Sequence, residues 1–123
     1  MPEKLSTQTR EAVTGGSRIL LINNITMEEI DYRAAVLLEC VGEPIRFQII
    51  RHLQSGPRPV YELTRLTKRH QATICRHLAV LRNLQVVRYR NHGSATFYEI
   101  KLKGISRLLD LAVRCVRNTT PTS

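Results

Sequence analysis

"RHQATICRHLAVLRNLQVVRYRNHGSATFYEI", residues 69–100, carries five arginines and a single acid, Glu99, yet leucine, isoleucine and valine recur through it at regular spacing. In its first half Ile74, Leu78 and Leu81 fall at i, i+4 and i+7, the spacing that lines side chains along one side of a helix, which predicts a helix from about Gln71 to Asn83. After Leu84 the period changes from 3.6 to 2. Val87 and Tyr89 alternate with Arg88 and Arg90, His92-Gly93-Ser94 can turn, and Thr96, Tyr98 and Ile100 alternate with Phe97 and Glu99. The second half is therefore a β-hairpin with one apolar face. Charge and core are sorted onto opposite faces of both elements.

Working back along the chain, "VYELTRL" reads as a short helix burying Val60, Leu63 and Leu66, joined to the next helix by the polar turn "TKRH". Before it, Pro44 suits a first helical turn, Ile45, Ile49, Ile50 and Leu53 form an inward face, and Ser55-Gly56-Pro57 stops the helix. Thr26-Met-Glu-Glu29 has the form of a capping box opening a first helix to about Val41, with Ile30, Ala34, Leu37, Leu38 and Val41 on one stripe. Residues 1–17 are polar and end in Gly15-Gly16-Ser17, and "RILLINN" fits a short strand or an extended arm equally, so residues 1–25 are expected to form a tail or arm. Downstream of the hairpin, "ISRLLDLAVRCV" predicts a last helix with Ile105, Leu108, Leu109, Ala112 and Val116 on a stripe, and residues 119–123 read as a C-terminal tail. The expected fold is mainly α with a β-hairpin, in the order α-α-α-α-β-β-α over residues 26–118.

A chain of 123 residues, 42% hydrophobic and 24% charged, has the composition of one globular domain. Its net charge of +9 is unevenly spread: residues 1–43 carry −3, residues 44–103 carry +10 and residues 104–123 carry +2. A basic middle between near-neutral flanks suggests a face for a polyanion, nucleic acid first and an anionic membrane surface second. The apolar run Ile19–Ile22 is far short of the roughly 20 residues that span a bilayer. No membrane partner is expected, and a cytoplasmic, nucleoid-associated protein fits. Three cysteines, Cys40, Cys75 and Cys115, without CxxC spacing, indicate neither a disulfide framework nor a zinc knuckle.

Two short helices joined by a tight turn and followed by a basic hairpin describe a winged helix-turn-helix, whose second helix enters the major groove of DNA while the hairpin lies alongside as a wing. On that reading Gln71, Ala72, Thr73, Cys75 and Arg76 face base edges: Gln71 pairs with adenine, Arg76 with guanine or a phosphate, and the methyl groups of Ala72 and Thr73 meet a thymine methyl. Arg65, Lys68, Arg69, Arg82, Arg88 and Arg90 set register on phosphates, and His92 and Ser94 stand at the wing tip. The same basic surface would also serve a non-specific RNA-binding or architectural module, or a winged helix retained only for protein contact. No Ser-His-Asp arrangement, P-loop, GxGxxG or HExxH is present, so no enzyme activity or cofactor is expected.

The stretches "LLECVGEPIRFQIIRHL", "ELTRLT" and "QATICRHLAVLRNLQVVRYRNHGSATFYEI" resemble the ArsR/SmtB family of small dimeric repressors, over about residues 34–117. The resemblance implies a homodimer joined through its first and last helices, seated on a near-palindromic double-stranded operator and repressing transcription. The interface would draw on Ile30, Leu37, Leu38, Leu108, Leu109, Ala112 and Val116. Many members of that family bind metal, but here the third-helix positions that resemble their ligands are Pro59 and Glu62, and those on the last helix are Leu102, Gly104, Cys115 and Asn118. One plausible ligand where zinc wants four argues against a metal site, and the effector is left open. Nor do His70, Cys75 and His77, at offsets of five and two, share a helical face. Cys40 and Cys115 read as interface helix residues and Cys75 as a thiol among arginines on the DNA side, near His77, which makes all three candidates for redox sensing.

Overall fold

In the computed structural model, which describes residues 9–14, 17–23 and 25–119, with 9–14 and 17 as backbone only, the chain divides after Cys40 into two units. The first unit departs from the sequence reading. Where a tail or arm was expected over residues 1–25, β1 (Thr9–Thr14), β2 (Ser17–Ile22) and β3 (Ile25–Glu28) form an antiparallel sheet in the order β1-β2-β3; residues 1–8, 15, 16 and 24 fall outside the described set. Thr9 pairs with Ile22, Thr14 with Ser17, and Ile19 with Glu28. Ile19, Leu20, Leu21, Ile22 and Ile25 concentrate aliphatic side chains, and alternation along β2 buries Leu20 and Ile22. Asn23, just before β3, takes a positive φ of 51°, a conformation asparagine tolerates better than most residues.

Thr26 is consequently not a helix cap. It lies in β3 opposite Leu21, and α1 (Glu29–Val41) begins two residues later than the capping-box reading implied. Pairing of all four residues of β3 with β2 satisfies more backbone groups than the one N–H a threonine cap would serve. Glu29 and Asp31 then occupy the first turn, where a carboxylate favours the helix dipole, and Glu29 also holds Arg18 at 3.2 Å. Ile30 and Leu38 on α1 are exposed, at 61% and 53%.

The second unit follows the predicted order closely. It comprises α2 (Pro44–Leu53), β4 (Arg58–Pro59), α3 (Val60–Thr67), α4 (Gln71–Asn83), β5 (Val87–His92), β6 (Ala95–Ile100) and α5 (Ile105–Asn118). Pro44 occupies the first turn of α2, and the Glu43 carboxylate accepts from the Arg46 N–H at 2.9 Å, so one orphan donor of the helix start is satisfied. The expected stop at Gly56 is present, at φ 134° with its N–H on the Leu53 carbonyl at 3.0 Å. The sequence reading lacked β4, which adds Arg58 opposite Tyr98 and Pro59 opposite Phe97 to give a sheet ordered β4-β6-β5. Two residues are too few to show alternation, but Arg58 precedes a proline and is thereby biased to extended backbone, and Pro59 needs no N–H partner on an edge.

The core is made by side chains that lose all contact with water. Ile49, Ile50, Leu63, Ile74, Leu78, Leu81 and Val86 are 0% exposed, and Val87, Ile105 and Leu109 are 1% exposed. α4 rests on α2, α3 and β5. Each aliphatic side chain so buried contributes about 1.5–3 kcal/mol relative to exposure. Leu109, expected at a subunit interface, belongs to this core; further along α5, Leu111 and Val116 are exposed at 51% and 67%. Among the described residues no helix is long and apolar enough to cross a membrane.

Two left-handed residues close the helices of the helix-turn-helix. Lys68 (φ 57°) ends α3, its N–H and that of Arg69 both reaching the Thr64 carbonyl. Gln85 (φ 63°) ends α4: its N–H bonds the Arg82 carbonyl and the Val86 N–H bonds the Leu81 carbonyl, both at 2.9 Å, while the Leu81 and Val86 side chains are both buried. This is the glycine-favouring helix end with its accompanying apolar contact, occupied here by a residue with a Cβ. Left-handed backbone costs such a residue about 1–2 kcal/mol. Gln85→Gly is therefore expected to stabilise the fold by about 1 kcal/mol, because the exposed Lys101–Gln85 contact that it deletes is worth little. Urea unfolding should show a higher midpoint at unchanged slope.

Candidate nucleic-acid interface

On α4 each residue turns by about 100°, so Gln71, Ala72, Cys75 and Arg76 share an arc of about 140°. All four are exposed, Thr73 and Ala79 are half-buried, and Ile74, His77, Leu78 and Leu81 on the remaining arc are buried. Of the residues expected to face base edges, four stand free on one surface and Thr73 lies at its margin. Arg76 and Gln71 make no side-chain hydrogen bond or ion pair among the described residues. Arg65, Lys68 and Arg69, exposed on α3 and the turn that follows it, also lack side-chain partners there. These unpaired groups make the α3–α4 corner a region of uncompensated positive charge.

The other expected phosphate contacts are engaged within the protein. Arg82 donates to the Tyr98 hydroxyl at 3.3 Å and lies 5.3 Å from the centre of the Tyr89 ring, which itself packs 5.9 Å from Tyr98. Its guanidinium ties α4 to both strands of the wing through a cation–π contact and a hydrogen bond. Arg88 and Arg90, on one face of β5, donate to the same Glu99 oxygen on β6 at 2.6 and 2.7 Å. These bonds, Arg88 foremost, hold the Glu99 carboxyl below the usual carboxylate range despite some desolvation, so the trio carries a net charge of one. His92 meets Phe97 edge-on at 6.3 Å, and Ser94 is exposed in the turn.

Behind α4 lies a polar cluster that the sequence did not reveal. His77, adjacent in sequence to Arg76, points inward rather than toward Cys75, and its Nδ1 accepts from Arg46 at 3.1 Å with the Glu43 carboxylate 3.8 Å away. Burial, opposed by Glu43 and reinforced by Arg46 and Arg76, holds His77 below the usual histidine value of 6.5; burial and Arg58 do the same to His52. Desolvation would raise the carboxyl of Glu43, but the Arg46 and Ile45 amides and the positive charge beside it prevail and lower it. Its signal was Glu43 one residue before a helix-starting proline, with His77 at a position the α4 period assigns to the core.

Cys40 is buried, whereas Cys75 and Cys115 are exposed thiols. Among the described residues no three His, Cys, Asp or Glu side chains are grouped to hold a metal. Glu62, one of the positions resembling a family ligand, is paired with Arg58, and Pro59 is buried in β4.

A helix-turn-helix with an outward polar arc, braced by a three-stranded wing, defines a winged helix-turn-helix DNA-binding domain. The family pattern described as bacterial regulatory protein, arsR family, matches residues 43–89. The uncharacterized HTH-type transcriptional regulator MJ1325 of Methanocaldococcus jannaschii is 32% identical over 82 residues, covering 63% of this chain and 92% of that protein. HlyU from Vibrio cholerae superposes with a TM-score of 0.67 at 28% identity, covering 72% of this chain and 97% of HlyU. The homodimeric winged helix-turn-helix domain of Mb0332 from Mycobacterium bovis, at 22% identity and a TM-score of 0.65, covers 76% of this chain and 89% of its own, and shares the fold. The chain belongs to the arsR family of bacterial regulatory proteins. It is a DNA-binding transcriptional regulator, not an enzyme.

Because His77 and His52 bind protons less readily folded than unfolded, the unfolded chain takes up more protons as pH falls through 6.5. The stability they lend at neutral pH is lost on acidification toward their folded values. Urea unfolding at pH 7.5 and 5.0 should give lower stability at pH 5.0, and His77→Gln, whose amide oxygen can still accept from Arg46, should reduce that difference.

Proposed function

We propose that the protein is a homodimeric repressor that reads a near-palindromic operator with α4 in the major groove and lays the β5–β6 wing on the backbone or minor groove. The observation that carries this is the sorting of α4: Gln71, Ala72, Cys75 and Arg76 are exposed opposite Ile74, Leu78 and Leu81, which are fully buried. A helix so anchored presents its polar arc rigidly. Gln71 and Arg76 are the base readers, Ala72 and Thr73 supply methyl contacts, and Cys75 lies between them. Arg65, Lys68 and Arg69 are phosphate anchors, supported by their lack of internal partners. Arg88 and Arg90 reach DNA by exchanging Glu99 for phosphate, with His92 and Ser94 at the tip, while Arg82 orients the wing. Residues 26–118 supply DNA reading and self-association, and the protein acts on the nucleoid.

Self-association is supported by apolar side chains left in water on two helices. Ile30 and Leu38 on α1 are exposed, as are Leu111, Ala112 and Val116 on α5, with Leu37 and Leu108 half-covered. Exposed apolar stripes of this kind suit an isologous dimer, in which the same patch meets itself. Two-fold symmetry then sets the two recognition helices about one DNA turn, roughly 34–36 Å, apart.

Selection of bound duplexes from a random pool tests the reading, with an enriched inverted repeat preferred over bulk DNA by about 10³ or more. Arg76→Ala is expected to weaken that operator by about 1–3 kcal/mol and relax preference at one base pair per half-site. Arg90→Ala weakens every duplex alike. Glu99→Gln acts oppositely, freeing two guanidinium groups and strengthening binding to any duplex with a steeper salt dependence, as measured by titration over a range of salt. Equal losses on all DNA for Arg76→Ala and Arg90→Ala would overturn the division between reading and anchoring.

A further inference from the structure

Away from the α3–α4 corner, α2 and α5 flank a solvent-open cavity of about 260 Å³ lined by Arg51, Asp110, Val113, Arg114 and Arg117. We propose that this cavity binds a small phosphate monoester through Arg51, Arg114 and Arg117, and that the site is separate from the DNA-reading surface.

Three guanidinium groups and one carboxylate leave a net charge of two on its walls. The carboxylate is already committed: Asp110 Oδ1 accepts from Arg51 at 2.9 Å and from Gln54 at 3.1 Å, and Gln54 also donates to the Ser106 carbonyl at 3.3 Å. Arg51 donates to Gln54 as well, at 3.1 Å. The network plants Arg51 at the junction of the two helices and holds one oxygen of Asp110 there. The Arg114 and Arg117 side chains make no hydrogen bond or ion pair among the described residues, although they are neighbours at i and i+3 on α5, where like charges repel. A dianion relieves that repulsion. Guanidinium forks match phosphate bidentately, and a phosphate monoester at neutral pH carries close to the two negative charges required. Val113 gives the wall an apolar face for a short carbon body, and the volume limits that body to a few carbons. At 100° per residue, Asp110, Arg114 and Arg117 lie well round the helix from the exposed Leu111, Ala112 and Cys115, so the cavity and the apolar stripe occupy different sides of α5.

The test uses the full chain without DNA at constant ionic strength, titrated with inorganic phosphate and with glycerol 3-phosphate and followed by amide chemical shifts. Saturable shifts at residues 110–117 and around Arg51 are expected, and Arg114→Gln/Arg117→Gln should weaken both probes at least tenfold. Arg76→Gln, on α4 and outside the cavity lining, should leave them unchanged. A preference for glycerol 3-phosphate assigns the cavity to a phosphorylated metabolite, and equal affinity assigns it to the phosphate group alone. Binding should tighten between pH 5.5 and 7.5, as the monoester loses its second proton with a pKa of about 6. Shifts confined to residues 65–76, unsaturable shifts, or undiminished binding in the folded double variant would each overturn the proposal, whatever the outcome of operator selection.

Discussion

The removal of Ile74, Leu78 and Leu81 from water is the constraint on which the other features of the second unit depend. All three are fully buried, on one side of a thirteen-residue helix whose other side is polar. Each turn of α4 is thus pinned to α2, α3 and β5 by an aliphatic contact, and the polar arc inherits its direction from that packing. The turn before the helix and the closure after it are consequences of the same anchoring. Lys68 and Gln85 adopt left-handed backbone because the chain must leave each helix at an angle that brings the next element onto the core. Tertiary burial supplies the free energy that offsets this local strain.

The wing is attached by a different kind of contact. Arg82 reaches from α4 to Tyr89 and Tyr98, and Val86 and Val87 carry the core into the hairpin, so the wing is referenced to the reading helix by one cation, two rings and two aliphatic residues. β4 adds a third strand on the far side of β6 and joins the α2–α3 connection to the same sheet. His77 performs a comparable service on the inner side of α4, where its acceptance of a hydrogen bond from Arg46 requires the neutral imidazole.

Much of this was legible because α4 and the hairpin obey strong periods. The spacing of Ile74, Leu78 and Leu81 gave α4 its limits, and the change of period after Leu84 located the wing. What escaped notice did so for physical reasons. β4 is too short for any period, and the N-terminal sheet competed with a capping-box pattern at Thr26–Glu29 in which strand pairing prevailed. Leu109 was placed at an interface because a helical stripe does not distinguish a contact within the chain from one between chains. Gln71, Ala72, Cys75 and Arg76 are exposed, since the complement of an apolar stripe is a surface, while Thr73 is half-buried. Among the expected phosphate contacts, sequence could not separate Arg65, Lys68 and Arg69, whose side chains lack partners among the described residues, from Arg82, Arg88 and Arg90, which are held by Tyr98 and Glu99. Such pairing depends on strand register and on the reach of long side chains.

The shared carboxylate of Glu99 bears on how a regulator finds its site along a genome. On the proposed reading, a wing whose arginines already possess an internal counter-ion would meet each phosphate by exchanging one partner for another, so that the net gain from any single non-specific stop would be small. Short stops favour sliding and hopping over capture by random sequence. In this molecule the unpaired cations near α4 would hold it to the duplex while the wing remains easily detached, a division that favours rapid scanning.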